Sequence, residues 1–289
     1  TLSYEKEDGS VDVFDIGIRT RGNFRRQVSV CPFPPLRINF KKKEAKDTLF
    51  HKQDKLKLVA HCRDNSDRYV QNILKEYIAY RILNTLTDIS YRVRLARITY
   101  IDSEQEYEPR TRFAFFIEHK KRLSKRLDLP PISTERIAAS DLEGEYSDLT
   151  SLFQYLIGNT DFSPIAGPEG DDCCHNSTLF GNEGGPIYSI PYDFDMSGLV
   201  NAPYAEPNPR FRIKSVTQRL YRGRCAYMDH LPASLQLVQD NRAAIYALIE
   251  EQPDIQPRTR NSMFRFINGF YDVIDNPKTL NREIESKCI

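Results

Sequence analysis

The sequence predicts an α+β chain, with a first half rich in strands around one helix and a second half that is mainly helical. Three observations predict this. Apolar and polar residues alternate with period two in several stretches before residue 120. A single helical repeat, from Val70 to Ile82, interrupts them. Beyond a boundary near residues 118 to 130 apolar residues recur mostly at helical spacing, broken by one polar, Gly-containing region.

The elements follow in order. Val11, Val13, Ile16 and Ile18 supply a β-rich start, and Gly22 and Asn23 mark a turn. Leu36, Ile38 and Phe40 alternate with Arg37, Asn39 and Lys41. Leu56, Leu58 and Ala60 do the same against Lys55, Lys57 and Val59. Asn65 or Ser66 is suited to cap the helix, along which Val70, Ile73, Leu74, Tyr77, Ile78 and Ile82 share helical spacing. Two strands follow, Arg94 to Ile101 and Arg112 to Glu118, with the acidic, polar stretch Asp102 to Pro109 as their hairpin loop.

The basic run Lys120 to Lys125 reads as a charged connector, and Pro130-Pro131 end whatever precedes them. The boundary therefore falls near residues 118 to 130, giving an N-terminal lobe over 1–118 and a C-terminal lobe over 119–289. In the second lobe Leu149, Leu152, Phe153, Leu156 and Ile157 mark a buried helix. Short strands are expected at Ser177 to Phe180 and Ile187 to Pro191, and several helices over 213–285.

Composition excludes some classes. The 289 residues are 40% hydrophobic and 28% charged, with a net charge of only +1. That is enough apolar material for one large domain or two packed lobes. It lacks the basic excess of a dedicated nucleic-acid binder. No stretch approaches the roughly 20 apolar residues of a membrane span. The six cysteines, Cys31, Cys62, Cys173, Cys174, Cys225 and Cys288, form no paired C-x-x-C knuckles. Their even count, in a chain that starts at Thr1 without Met, points to a mature or trimmed extracytoplasmic product carrying disulfides, with a cytoplasmic protein of reduced thiols as the alternative. Cys173 and Cys174 are adjacent, so each is expected to pair elsewhere in the chain.

The chemistry is concentrated between residues 156 and 195. A buried helix ends in Asn159-Thr160-Asp161, a second loop ends in His175-Asn176, and the hairpin it opens returns to Tyr192-Asp193-Phe194-Asp195. Phosphoryl transfer needs such a set. Magnesium takes oxygen ligands from the protein and the phosphates. A further carboxylate orients the attacking hydroxyl or takes its proton, and in protein kinases these groups come in the order Asp, Asn, Asp. A Cys-Cys-His metal site around His175 is the weaker alternative to a histidine that hydrogen-bonds the loop and fixes Asn176.

A wider set of motifs resembles the CotH-type (spore-coat) kinases. These share an R-x-R-G-N element, an apolar-basic strand, a D-x-S before a helix, a strand ending in Glu, an N-x-D loop, an H-N pair and a Y/W-D-x-D. Here they stand as Arg19-Thr20-Arg21-Gly22-Asn23, Pro35 to Lys41, Asp64-Asn65-Ser66, Phe115-Phe116-Ile117-Glu118, Asn159-Thr160-Asp161, His175-Asn176 and Tyr192 to Asp195. The similarity covers roughly residues 14 to 200. The HipA-type kinases are more distantly similar.

The resemblance implies a two-lobed protein-kinase-like fold and ATP- and Mg²⁺- or Mn²⁺-dependent transfer of phosphate to Ser or Thr hydroxyls of a protein or peptide. It makes Asp161 the catalytic-loop Asp, Asn176 and Asp193 metal ligands, and Asp195 a second ligand or structural neighbour. In the first lobe it implies nucleotide contacts from Lys57 (with Lys41 as alternative), Glu76, Arg21 and Glu118, with Arg19 and Gly22 near the phosphates. The sequence departs from ordinary kinases in two ways. Asp161 and Asn176 are about fifteen residues apart, with the polar insert Pro164 to Asp172 between them, and the first hairpin lacks a run of glycines that Arg25 and Arg26 would have to replace by charge. Two further classes are compatible with the same motifs: a pseudokinase scaffold, and a nucleotidyl transferase using the same clamp.

Overall fold

The computed structural model describes residues 1–64 and 66–289. The chain divides into two compact units. The first takes Thr1–Ile73 and Val93–His119, and the second Leu74–Arg92 and Lys120–Ile289.

The first unit is mostly sheet. Strands β1 (Leu2–Glu5) and β2 (Val11–Phe14) form an antiparallel hairpin; β1 is a strand that the alternation pattern missed. Then come β3 (Ile16–Thr20), β4 (Leu36–Phe40), β5 (Lys55–Val59), β6 (Val93–Tyr100) and β7 (Arg110–Ile117). They make a five-stranded sheet in the order β3-β4-β5-β7-β6, every pair antiparallel.

Because side chains alternate across a sheet, the register fixes which residues share a face. Ile18, Ile38 and Leu56 are direct partners, as are Leu36, Leu58 and Phe116. They belong to the face that packs on Phe14, Phe40 and Phe50, where Phe40 and Phe50 stack at 4.4 Å between ring centres. On the opposite face Arg19, Arg37 and Lys57 lie in one row, which continues through Ile117 to Val93.

Helix α1 (Asp67–Leu86) begins in the first unit and ends in the second. Ser66 caps it, its Oγ accepting from the Arg68 N–H at 3.3 Å. The other expected cap, Asn65, lies outside the described residues. A Cys31–Cys62 disulfide holds the long β3–β4 connection against the segment after β5, and the Arg63 guanidinium bonds the Ser29 and Val30 carbonyls beside it.

The second unit is mainly helical. The basic run expected as a connector is a helix, α2 (Lys120–Leu127). Leu123 is fully buried there, and one apolar anchor is enough to seat a short helix whose charges face water. Next are α3 (Gly144–Ile157), β8 (Ser177–Gly181), β9 (Ile187–Pro191), α4 (Leu231–Asp240), α5 (Arg242–Glu250), α6 (Pro257–Ile274) and α7 (Pro277–Glu283). Strands β8 and β9 pair with each other as a hairpin.

Helix α3 is the central element. The Glu143 carboxylate caps it by accepting from the Glu145 and Tyr146 N–H groups. From Leu152 to Ile157 every residue is buried, which is the pattern of a helix surrounded on all sides. It stops at Gly158, whose φ of 63° is left-handed. A Cβ at Gly158 would come within 2.8 Å of the Phe266 ring, so the position has no room for another residue without a shift.

Two disulfides lie in this unit. Cys225 joins Cys288. Cys173 joins Cys174, which corrects the expectation that each would pair elsewhere. The peptide between them is cis, and this shortens their Cα separation to 3.0 Å and lets neighbouring thiols meet. Among the described residues no helix is long and apolar enough to cross a membrane.

Candidate functional site

The site grows out of the end of α3. Asn159, the first residue past Gly158, is buried and bonds in two directions. Its Nδ2 donates to Gln154 Oε1 at 2.9 Å, one turn back in the helix, and its Oδ1 accepts from the Asp161 N–H at 3.0 Å. A buried amide that satisfies both its ends fixes a loop firmly, because any displacement leaves a desolvated group unpaired. Asp161 therefore leaves the helix on a short, tethered arm.

The hairpin β8–β9 supplies the next groups. Asn176 immediately precedes β8 and has φ 53°, while Asp193 comes two residues after β9 with φ 64°. Both sit in the left-handed region, which Asn and Asp tolerate better than other side chains. The Tyr192 N–H donates to the Asn176 carbonyl at 2.9 Å and keeps the two ends of the hairpin together.

These elements converge on the Asp161 carboxylate. His175 Nε2 lies 2.8 Å from its Oδ1. Asn176 Nδ2 donates to its Oδ2 at 3.0 Å and to the Asp161 backbone carbonyl at 2.7 Å. The Ser163 N–H completes the closure by bonding the His175 carbonyl at 3.0 Å. The hydrogen bond to Asp161 is the main cause that raises the His175 pKa; burial opposes it, and the charges of Asp161 and Asp193 add to it.

Asp193 is fixed from below. Its N–H donates to the Tyr80 hydroxyl at 2.8 Å. The next residue, Phe194, is fully buried against Tyr80 and Phe153, at 4.5 and 5.3 Å between ring centres. Asp195 is 5% exposed, and its Oδ2 accepts from the Tyr204 hydroxyl at 3.0 Å. A carboxylate so enclosed suits the role of structural neighbour better than that of an open ligand.

Two arginines that the sequence pattern did not single out complete the support. Arg222 Nη1 donates to the Thr160 carbonyl at 3.1 Å and to the Phe162 carbonyl at 2.7 Å, one on each side of Asp161. Its guanidinium lies over both the Phe162 and Phe211 rings, 4.5 Å from each centre. Burial pushes its pKa down to about 10, still a cation at neutral pH. Arg219 does the same for the end of α3, bonding the Tyr155, Leu156 and Phe266 carbonyls and stacking on the Phe266 ring. It thereby ties the last turn of α3 to the interior of α6.

The structure thus brings Asp161, His175, Asn176 and Asp193 together at the mouth of one hairpin in the second unit. Glu76, 2% exposed on α1, belongs to the same unit. Lys57, Arg21 and Glu118 belong to the first. Lys57 is half-buried on β5, Glu118 directly follows β7, and the Arg21 N–H bonds the Pro35 carbonyl at 2.9 Å.

Among the described residues no three His, Cys, Asp or Glu side chains are grouped as a metal cage. This counts against the Cys-Cys-His alternative. A magnesium ion that completes its shell with phosphate and water asks less, one or two protein oxygens. The Asp193 carboxylate could supply one. Asn176 could supply another, since its Nδ2 is committed to Asp161 and its amide oxygen is the chemically suitable end. Comparison of the chain with protein-family models finds no match, and comparison with curated proteins finds none.

Proposed function

We propose that this protein is a metal-dependent phosphotransferase with a two-lobed, protein-kinase-like fold, moving the γ-phosphate of ATP to Ser or Thr hydroxyls of a protein or peptide. The observation that carries the proposal is the Asp161 carboxylate, held by His175 and Asn176 and adjoining Asp193 at the base of the β8–β9 hairpin. Its groups are hard oxygen donors and one oriented carboxylate, the set that phosphoryl transfer requires.

Each residue then has a task. Asp161, with two hydrogen bonds already on its oxygens, orients the acceptor hydroxyl more than it strips its proton. Asp193 and Asn176 hold Mg²⁺ or Mn²⁺, whose chemistry there is to neutralise charge on the phosphate oxygens. His175 and Arg222 set the position of Asp161. In the first unit the cross-strand row Arg19, Arg37 and Lys57 supports the same proposal. Arg19 and Arg37 are direct cross-strand partners; like charges so placed repel, and a triphosphate is a ligand that offsets the repulsion. Glu76, Arg21 and Glu118 are the remaining nucleotide-side candidates. The disulfides are compatible with an extracytoplasmic location.

Incubation with ATP labelled at either the α or the γ phosphorus, with Mg²⁺ or Mn²⁺ and a mixed peptide acceptor, tests the proposal. Incorporation of γ-label alone is expected. Incorporation of α-label would make the protein a nucleotidyl transferase. Nucleotide binding with neither label transferred would make it a scaffold.

A further inference from the structure

Beside the Asp161 loop, within the second unit, lies a cavity of about 120 Å³. Drug-sized and nucleotide ligands occupy clefts of roughly 300–1,000 Å³, so this space suits only a small guest. Its wall has an unusual chemical bias. Seven hydroxyl-bearing residues contribute, among them Ser151, Ser163, Ser177, Ser189 and Tyr227, together with Arg222 and Arg224, and no acidic side chain does.

Neither guanidinium forms a salt bridge among the described residues, although the Asp161 charge acts on Arg222 and partly offsets the effect of Arg224. Arg222 commits Nη1 to the carbonyls of the Asp161 loop, while its buried Nε has no hydrogen-bond partner. The Arg224 side chain makes no hydrogen bond or ion pair among the described residues. The Arg224 charge, after burial, is a cause of the lowered Arg222 pKa, so the two cations feel each other. A buried donor without an acceptor and two like charges at one wall are both costly features, and an anion relieves both. The Ser177 and Ser189 hydroxyls lie 2.9 Å apart, and either can be the donor. The pair can therefore turn a proton toward an incoming acceptor.

We propose that this cavity is a binding site for one small oxyanion of the size of inorganic phosphate, held by Arg222, Arg224 and the Ser177–Ser189 hydroxyl pair. Binding there would also stiffen the arginine clamp on the Thr160 and Phe162 carbonyls, so an anion would act on the Asp161 loop from behind. The site goes beyond the phosphotransfer proposal and does not depend on it, since its occupant is neither the nucleotide nor the acceptor.

Thermal melting without nucleotide or metal tests it, comparing sodium phosphate with sodium chloride at matched pH and ionic strength. At phosphate about tenfold above the dissociation constant, the melting temperature is expected to rise by roughly 2–5 °C. A calorimetric titration of wild type with phosphate should give one site per chain. Arg224→Gln should lose the rise, and Ser189→Ala should weaken binding severalfold if Arg224→Gln proves too unstable to measure. Asp193→Ala, which disables the proposed metal site, should keep the rise. The proposal is overturned if phosphate stabilises no more than chloride, if both Arg224→Gln and Ser189→Ala bind like wild type, or if Asp193→Ala abolishes the rise. Absence of γ-phosphate transfer in a protein that still binds phosphate would defeat the kinase proposal alone.

Discussion

The β6–β7 and β8–β9 hairpins use the same antiparallel pairing to different ends. The first runs through eight residue pairs, from Val93↔Ile117 to Tyr100↔Arg110, and its connection from Ile101 to Pro109 is largely exposed. The second has five pairs, from Ser177↔Pro191 to Gly181↔Ile187, with Leu179, Phe180 and Ile190 fully buried. In the long hairpin the ladder stops at Arg110, which is ion-paired with Asp64, and at Ile117, just before Glu118, and neither end has a residue with positive φ. In the short one the ladder stops at Asn176 and Asp193, both with positive φ, and each is tied to another element by its backbone. Ladder length is thus a poor guide to importance. The informative feature is a hairpin base where the backbone leaves the β region and buried partners hold it there.

The largest expected effect tests that base directly. Asp161→Ala and Asp193→Ala should each lower phosphate transfer by about a thousandfold or more. They should differ in binding. Asp161→Ala keeps nucleotide affinity close to wild type, because it removes an interaction needed in the transition state, whereas Asp193→Ala loses the metal-dependent part. Calorimetry and a transfer assay on both variants check this, and full turnover by Asp161→Ala would refute its role.

A smaller effect is expected from Tyr80→Phe, which leaves the Asp193 N–H without its acceptor. The loss should be about 1–3 kcal/mol of stability in urea unfolding. A loss near zero would mean that Asp193 keeps its conformation without the tether.

His175 gives a pH-dependent effect. Its folded pKa is raised above 6.5 by Asp161, so the pair contributes fully below about pH 6.5 and fades as pH rises through the raised value. Both side chains are about one-third exposed, which limits the contribution to roughly 1 kcal/mol or less. The stability gap between wild type and His175→Gln should therefore be wider near pH 6 than near pH 9. A gap that widened with rising pH would reverse the assigned protonation.

The smallest effect belongs to the other hairpin. Replacing Asp102 to Pro109 by a short turn should change stability by only a few tenths of a kcal/mol, because loop-closure entropy varies slowly with length. A loss of several kcal/mol would show that the exposed tip of β6–β7 carries more than its geometry suggests.

The strands and α3 were legible because their side chains repeat along the chain. Leu36, Ile38 and Phe40 announce β4, and the apolar run to Ile157 announces a buried helix. Helix α2 was not legible, since its single buried anchor, Leu123, is hidden among lysines and arginines. Within the site, the closeness of Asp161, His175 and Asn176 could be anticipated from their order around one hairpin. The Arg222 clamp could not. It reaches carbonyls 60 and 62 positions away, and such contacts leave no periodic trace. The cis Cys173–Cys174 bond escaped for a related reason: a trans backbone is the sound default for two neighbouring residues, and only the folded loop overrides it.

The cysteine pairing also bears on how the protein is made. Six cysteines admit 15 complete pairings. The one adopted, Cys31–Cys62, Cys173–Cys174 and Cys225–Cys288, always joins a cysteine to the next one along the chain. An oxidant acting on thiols in the order they leave the ribosome or a translocation pore would form each bond correctly at the first attempt.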